Sequence, residues 1–111
     1  MNVFFKADEH PWEVIEEGIK RKIVGFTDDL MVVHVCFDKG AVGTPHTHEI
    51  HDQIGYVVQG KFEAQINGEK QILNPGDAFI ARKHFEHGAV ALEQDSVLVD
   101  VFSPSREDFL K

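Results

Sequence analysis

Short runs of β-branched and aromatic residues recur along the chain at regular intervals, and turn residues separate them. The clearest turn is Asn67-Gly68, because both residues tolerate the positive φ angles of a type I′ hairpin. No helical period lies between the runs. The pattern therefore predicts an all-β sandwich or barrel. We predict strands over residues 22–26, 30–37, 54–58, 61–66, 70–73, 78–81, 87–92 and 97–102, and an irregular segment before residue 22.

The length of 111 residues is close to that of one typical domain. We expect a single domain over residues 1–111, with a barrel core at about 22–102 and a C-terminal cap at 103–111. Cys36 is the single cysteine, so no internal disulfide can form. No apolar run approaches the roughly 20 residues needed to span a bilayer, and the N-terminus lacks the features of a signal peptide. We therefore expect a cytoplasmic protein that does not bind membranes.

The formal net charge of −8 argues against a nucleic-acid partner, which requires a concentrated basic surface. It does not exclude a small anionic ligand. A metal ion and a nearby arginine outweigh a diffuse surface field at short range.

Histidines cluster between positions 46 and 51, where three of the seven in the chain occur. His46 and His48 are separated by one residue, and on a strand this spacing would point both imidazoles to the same face. Imidazole is a good ligand for zinc, nickel, copper and iron. The pair therefore indicates part of a metal site.

Two segments in the middle of the chain resemble the two motifs of the cupin family. The first contains Gly40, His46, His48, Gln53 and Gly60; the second contains Pro75-Gly76-Asp77 and then His87. The resemblance implies a double-stranded β-helix, a jelly-roll barrel, with one divalent metal ion. It implies that the metal ligands are His46, His48, Gln53 and His87.

Gln53 stands where the family usually has an acidic residue. Three imidazoles and an amide leave the full +2 charge of the metal, which favours an anionic ligand. The amide also fits poorly to the 2-His-1-carboxylate site of iron oxygenases. His84 competes with His87 for the last ligand position, and His87 is preferred because it leads into an apolar run. His51 is expected to orient a ligand rather than to bind the metal.

A second group of candidates lies near the C-terminus. Asp100 and Phe102 share a strand face by alternation. A carboxylate inside an apolar barrel is costly unless it is paired or used, so Asp100 is a candidate general acid/base. Arg106 follows a turn at Pro104, and its planar fork suits a substrate carboxylate. A simple salt bridge between Asp100 and Arg106 is an equally good interpretation at this point.

Taken together, longer segments closely resemble the small KdgF-type cupins of pectin and alginate breakdown. These segments are residues 11–13, 18–22, 28–31, 46–53, 87–90 and 100–110. The resemblance implies an enzyme that converts 4,5-unsaturated monouronates into linear 5-keto-4-deoxyuronate, with substrate-handling roles for Asp100, Phe102 and Arg106. It also suggests a homodimer.

Several alternatives stay open from the sequence. The metal can be nickel, zinc, manganese or iron. The ring can open directly, with protonation of the resulting enol, or water can first add to the unsaturated carbon. The protein can also be a different metal-dependent cupin enzyme, such as a dioxygenase or a sugar isomerase. A non-catalytic sugar-binding cupin is the third alternative.

Overall fold

The computed structural model describes residues 3–110, and Met1, Asn2 and Lys111 lie outside the described part. Within these residues the chain forms ten strands and two short 3-10 helices. The strands are β1 Glu13–Glu16, β2 Ile19–Phe26, β3 Met31–Phe37, β4 Val42–His46, β5 Asp52–Gln59, β6 Phe62–Ile66, β7 Glu69–Leu73, β8 Ala78–Ala81, β9 His87–Ala91 and β10 Ser96–Ser103. The 3-10 helices are Ala7–Glu9 and Glu107–Leu110.

The strands form two antiparallel sheets that face each other across one core. The larger sheet has the order β1-β2-β3-β10-β5-β8, and the smaller one has the order β4-β9-β6-β7. Several neighbouring strands are distant in sequence, such as β3 and β10 in the larger sheet and β4 and β9 in the smaller one, as in a jelly roll. The predicted all-β jelly-roll fold is thus confirmed. The buried apolar residues of the core are Ile19, Met31, Val33, Val35, Phe37, Val57, Phe62, Ala64, Phe79, Ala81, Ala89, Ala91, Leu98 and Phe102.

The hairpin at Asn67-Gly68 is present as predicted. Asn67 has a φ of 48° and Gly68 a φ of 87°, and together they join β6 to β7. Positive φ at both central residues is the property of the type I′ turn that matches the twist of the flanking strands. This hairpin aligns one edge of the smaller sheet.

The prediction of an irregular segment before residue 22 was wrong. β1 and the start of β2 form a hairpin there, and Gly18, with a φ of 79°, lies in its turn. All four residues of β1 are exposed, so this edge strand lacks the alternation of apolar and polar residues that reveals a strand. β4 was missed for the same reason, and its Pro45 is acceptable only because the strand lies at a sheet edge.

The C-terminal segment returns to the barrel after β10. Phe109, in the last 3-10 helix, packs against the core. The division into a barrel core and a C-terminal cap stays a prediction. In residues 3–110, no helix combines the length and the apolar character needed to cross a bilayer.

Candidate metal centre

Three histidines from separate parts of the fold meet at one end of the barrel. His46 ends β4 and His87 begins β9, and the two are direct partners in the pairing of these strands. His48 follows β4, with its ring centroid 4.8 Å from that of His46 and 4.9 Å from that of His87. Their potential ligand nitrogens all lie within 4.8 Å of one another. The three side chains are therefore positioned to hold one metal ion.

The reason predicted for the convergence of His46 and His48 was wrong. β4 ends at His46, so the two residues do not lie on one face of a strand. His48 lies in the following turn, where its carbonyl oxygen accepts a hydrogen bond from the backbone N–H of His84. The His48 side chain is buried, and only 8% of the residue is exposed.

Backbone carbonyls select the tautomer of two of these histidines. Nδ1 of His46 donates to the Thr44 carbonyl at 2.8 Å, and Nδ1 of His87 donates to the Phe85 carbonyl at 3.1 Å. Because a carbonyl oxygen only accepts, each ring carries its proton on Nδ1 and leaves the Nε2 lone pair free. Nε2 of His87 is buried without a hydrogen-bond partner among the described residues. A buried lone pair of this kind fits a metal ligand.

Burial also keeps two of the imidazoles neutral, which is the form that binds metals. It lowers the pKa of His48 to about 4, and the positive charge of Arg106 adds to the effect. Burial likewise lowers the pKa of His87. At neutral pH both rings are therefore unprotonated and available as ligands.

Gln53 supplies an oxygen to the same cluster from β5. Its Oε1 lies 3.0 Å from Nε2 of His48, and the residue is buried. Two donors that each lie about 2.1 Å from one ion are about 3 Å apart when they are at right angles. The donor set of three imidazoles and one amide oxygen thus fits a divalent cation of the first transition series or zinc.

The two other histidines near the site lie outside this cluster. The side chain of His84 is 65% exposed, and its Nδ1 lies 3.5 Å from a carboxylate oxygen of Glu49. His51 is buried, and its Nε2 donates to the Ser105 carbonyl at 3.3 Å. His51 therefore links the turn that carries His48 to the C-terminal segment that carries Arg106.

A cavity of about 430 Å³ opens beside the histidines. The residues that line it include His46, His48, Gln53, Asp100, Phe102 and Arg106. Such a volume is in the range of small-molecule sites. These residues come from β4, the segment after it, β5, β10 and the C-terminal segment, and the cavity brings them together.

Asp100 is the buried acid of this cavity. It lies on β10 between Val33 of β3 and Gly55 of β5, and its Oδ1 has no hydrogen-bond partner in the described part of the chain. Burial raises the pKa of Asp100 to about 7, and the Gln53 side chain and the Arg106 charge oppose the rise only partly. The carboxyl group is thus able to exchange a proton near neutral pH.

Arg106 binds Asp108, so the salt bridge with Asp100 considered as an alternative is not formed. Its Nε donates to one carboxylate oxygen of Asp108 at 2.9 Å and its Nη2 to the other at 2.7 Å. Its guanidinium lies 5.0 Å from the ring centroid of Phe102. Asp108 therefore occupies one edge of the Arg106 guanidinium, and the ring of Phe102 lies close to the same guanidinium.

Two residues of the cavity were missed at the sequence level. Arg21 lines it from β2 and Phe109 from the C-terminal 3-10 helix. Alternation of residues 19, 21 and 23 places Arg21 on the inner face, whereas the sequence predicts an irregular segment before residue 22. No local signal directs Phe109 into the cavity, because its position depends on the return of the C-terminal segment.

Comparisons with known proteins agree with the fold. A family model described as a cupin domain matches residues 33–102. The chain is 59% identical over 110 residues to the pectin degradation protein KdgF of Dickeya dadantii, covering 99% of this chain and 100% of that protein.

Two solved structures are similar over nearly the whole chain. KdgF from a Halomonas species has a TM-score of 0.96 and 61% identity, covering 98% of this chain and 99% of that one. An RmlC-like cupin from Shewanella frigidimarina has a TM-score of 0.92 and 41% identity, covering 98% and 96%. The expected resemblance is thereby confirmed: this chain belongs to the cupin family and, within it, to the KdgF-type small cupins.

Proposed function

We propose that this protein acts in the breakdown of pectin or alginate by opening the ring of 4,5-unsaturated monouronates to give linear 5-keto-4-deoxyuronate. One divalent metal ion would be held by His46, His48, Gln53 and His87. The name of the Dickeya relative, a pectin degradation protein, supports the role in pectin breakdown. The observation that carries the proposal is the position of a buried carboxylate, Asp100, beside the histidine cluster in one cavity.

The proposed reaction is an isomerisation that requires a proton to move. The substrate is an enol ether: its ring oxygen joins the hemiacetal carbon C1 to C5, which carries the carboxylate and is double-bonded to C4. When the C1 hydroxyl loses its proton and the bond from C1 to the ring oxygen breaks, C1 becomes an aldehyde and the ring oxygen an enolate. A proton added at C4 then gives the ketone at C5, so product and substrate have the same atoms.

Asp100 is the proposed carrier of that proton. Its carboxyl group faces the cavity and has an oxygen that no described residue binds. A pKa of about 7 leaves both its charged and neutral forms populated near neutral pH, which suits a group that takes up and returns a proton. Hydration of C5 before ring opening is the alternative route, and Asp100 would then move a proton of water.

The remaining residues would bind and orient the sugar. Phe102, buried beside His48 with ring centroids 5.8 Å apart, offers an apolar surface that excludes water from one side of the ring. Arg106 would hold a carboxylate or hydroxyl group with the N–H groups that Asp108 does not use. A divalent ion, when held by the four ligands, would supply Lewis acidity that stabilises developing negative charge on the substrate.

The expected homodimer is also a proposal, and the outer face of the larger sheet supports it. Ile54, Tyr56 and Val58 of β5 point outward and are 45%, 46% and 45% exposed, and Ile80 of β8 lies beside Ile54. Val99 continues this face on β10. A solvated sheet face is normally polar. Because the chain carries a net charge of −8, an uncharged face is where two copies can meet without like-charge repulsion.

The direct test is to add the unsaturated monouronate to the metal-loaded protein and follow the loss of its enol-ether absorbance. Nuclear magnetic resonance identifies the product, and a chelator-treated sample is the control. We expect loss of absorbance only with metal and formation of the linear ketone. Oxygen consumption with Fe(II), or binding without turnover, would contradict the proposal and favour a dioxygenase or a sugar-binding protein.

A further inference from the structure

Arg21 is a cavity residue to which the proposed reaction assigns no role. It lies on β2 between the inward-facing Ile19 and Ile23, and its side chain is only 15% exposed. It lines the same cavity as His46, Asp100 and Arg106. A guanidinium at a largely buried, inward position loses hydration, so a compensating contact is expected.

The contact that Arg21 makes uses only part of its hydrogen-bonding capacity. Its Nε donates to Oε1 of Glu13 at 2.6 Å, and Glu13 is its direct partner in the pairing of β1 with β2. A guanidinium has five N–H donors, and within residues 3–110 its terminal amino groups make no hydrogen bond. The Glu13 side chain is 59% exposed, so water screens its charge. Positive charge therefore remains available toward the cavity.

Phe109 holds Arg21 and Arg106 in fixed positions. The central carbon of the Arg21 guanidinium lies 3.9 Å from the Phe109 ring centroid, and that of Arg106 lies 4.1 Å from the same point. Two planar groups so close to one centroid would overlap on one face, so they lie on opposite faces. Stacking on an aromatic ring orients the plane of a guanidinium and reduces the entropy lost on ligand binding.

The two arginines differ in how many of their guanidinium N–H groups bind other described residues. Arg106 uses two N–H groups for Asp108, in a bidentate pair. Arg21 uses one N–H group for Glu13. Of the two arginines that line the cavity, Arg21 thus uses fewer of its guanidinium N–H groups in hydrogen bonds with described residues.

We propose that Arg21 is a second anion-binding residue of this cavity and that it selects acidic monosaccharides over their neutral counterparts. The proposal rests on the proposed function, because it concerns the same cavity and the same class of sugar. A planar guanidinium with free N–H groups matches the two oxygens of a carboxylate. The corresponding neutral sugar, with a hydroxymethyl group in that position, would gain neither the charge nor the second acceptor.

The test compares the binding of D-galacturonate and D-galactose to the metal-loaded protein by isothermal titration calorimetry. Both are saturated sugars, so neither undergoes the proposed ring opening. Arg21→Met removes the charge and keeps much of the length, and Glu13→Gln removes the ion pair but keeps Arg21. Arg82→Met, at an exposed position, is the control for a change in overall charge.

We expect Arg21→Met to weaken galacturonate binding about tenfold or more, which corresponds to the loss of a charge-assisted hydrogen bond, and to leave galactose binding unchanged. Glu13→Gln and Arg82→Met should bind galacturonate as the unchanged protein does. If Glu13→Gln weakens binding as much as Arg21→Met, or if neither does, Arg21 is only a structural partner of Glu13 and the proposal is wrong. Absence of galacturonate binding to the unchanged protein at millimolar concentration also overturns it.

Arg21→Lys is the second variant in case Arg21→Met does not fold, because it keeps the positive charge beside Glu13. It lacks the planar fork, so weaker galacturonate binding is expected, and unchanged binding contradicts the proposal. Turnover of the unsaturated monouronate is measured separately. If Arg21→Met keeps the preference for galacturonate while the unchanged protein turns over the monouronate, only the role of Arg21 is rejected. If Arg21→Met loses that preference but the unchanged protein shows no turnover, only the proposed reaction is rejected.

Discussion

The ring of Phe79 occupies the space that a side chain at Gly55 would need. Gly55 and Phe79 are direct partners in the pairing of β5 with β8, and a Cβ atom at Gly55 would overlap the Phe79 ring. The centroid of the same ring lies 6.2 Å from that of His87, one of the candidate metal ligands. A backbone position without a side chain thus allows an aromatic ring to support a candidate ligand.

Gly55→Ala is therefore expected to destabilise the protein by about 1–3 kcal/mol, the usual cost of overpacking a core. Displacement of Phe79 toward His87 should also weaken metal binding. Thermal unfolding and metal titration measure the two effects. Gly25→Ala is the matched control, because nothing lies within 4 Å of a Cβ atom at that position. Equal stability of the two variants would show that Phe79 moves aside without cost.

Substitution of His87 tests whether this residue, rather than His84, is a metal ligand. His87→Ala removes a buried ligand candidate, so it should reduce metal affinity by more than the about 10- to 100-fold typical for loss of an outer hydrogen-bond partner. His84→Ala changes an exposed side chain and should leave the metal content at that of the unchanged protein. Metal content per chain after dialysis measures both. The reverse order of effects would assign the ligand role to His84.

Asp100→Asn tests the proposed proton carrier. The amide has nearly the shape of the carboxyl group but does not exchange a proton at neutral pH, so turnover should fall about 10²- to 10⁴-fold. Metal content should not change. Glu93→Gln removes an exposed carboxylate elsewhere and is the control. Full activity of Asp100→Asn, with the metal bound, would remove Asp100 from the mechanism.

The outer face of the larger sheet can be tested through the oligomeric state. Ile54→Lys introduces a charge into the face proposed to join two copies, and the desolvation of that charge should shift the protein toward the monomer. Ile72→Lys, at a position 48% exposed on the smaller sheet, is the control. Light scattering coupled to size-exclusion chromatography gives the mass. A dimer that persists in Ile54→Lys would locate the interface elsewhere.

Local signals in the sequence were sufficient for the fold class and for several elements. The Asn67-Gly68 turn could be predicted because positive φ is a property of the residues themselves. Strands such as β3 and β10 are runs rich in β-branched and aromatic residues, and these runs are recognisable in the sequence. β1 and β4 could not be predicted, because exposed edge strands carry no such pattern.

The sequence by itself determined which residue types are available to a metal and, through the cupin motifs, which histidines to consider. Only the tertiary structure decided that His46 faces His87, that Arg106 pairs with Asp108 rather than with Asp100, and that Arg21 enters the cavity. The physical reason is the range of the interactions. Turn and strand preferences depend on neighbouring residues, whereas the cavity is assembled by pairing strands that are far apart in the chain.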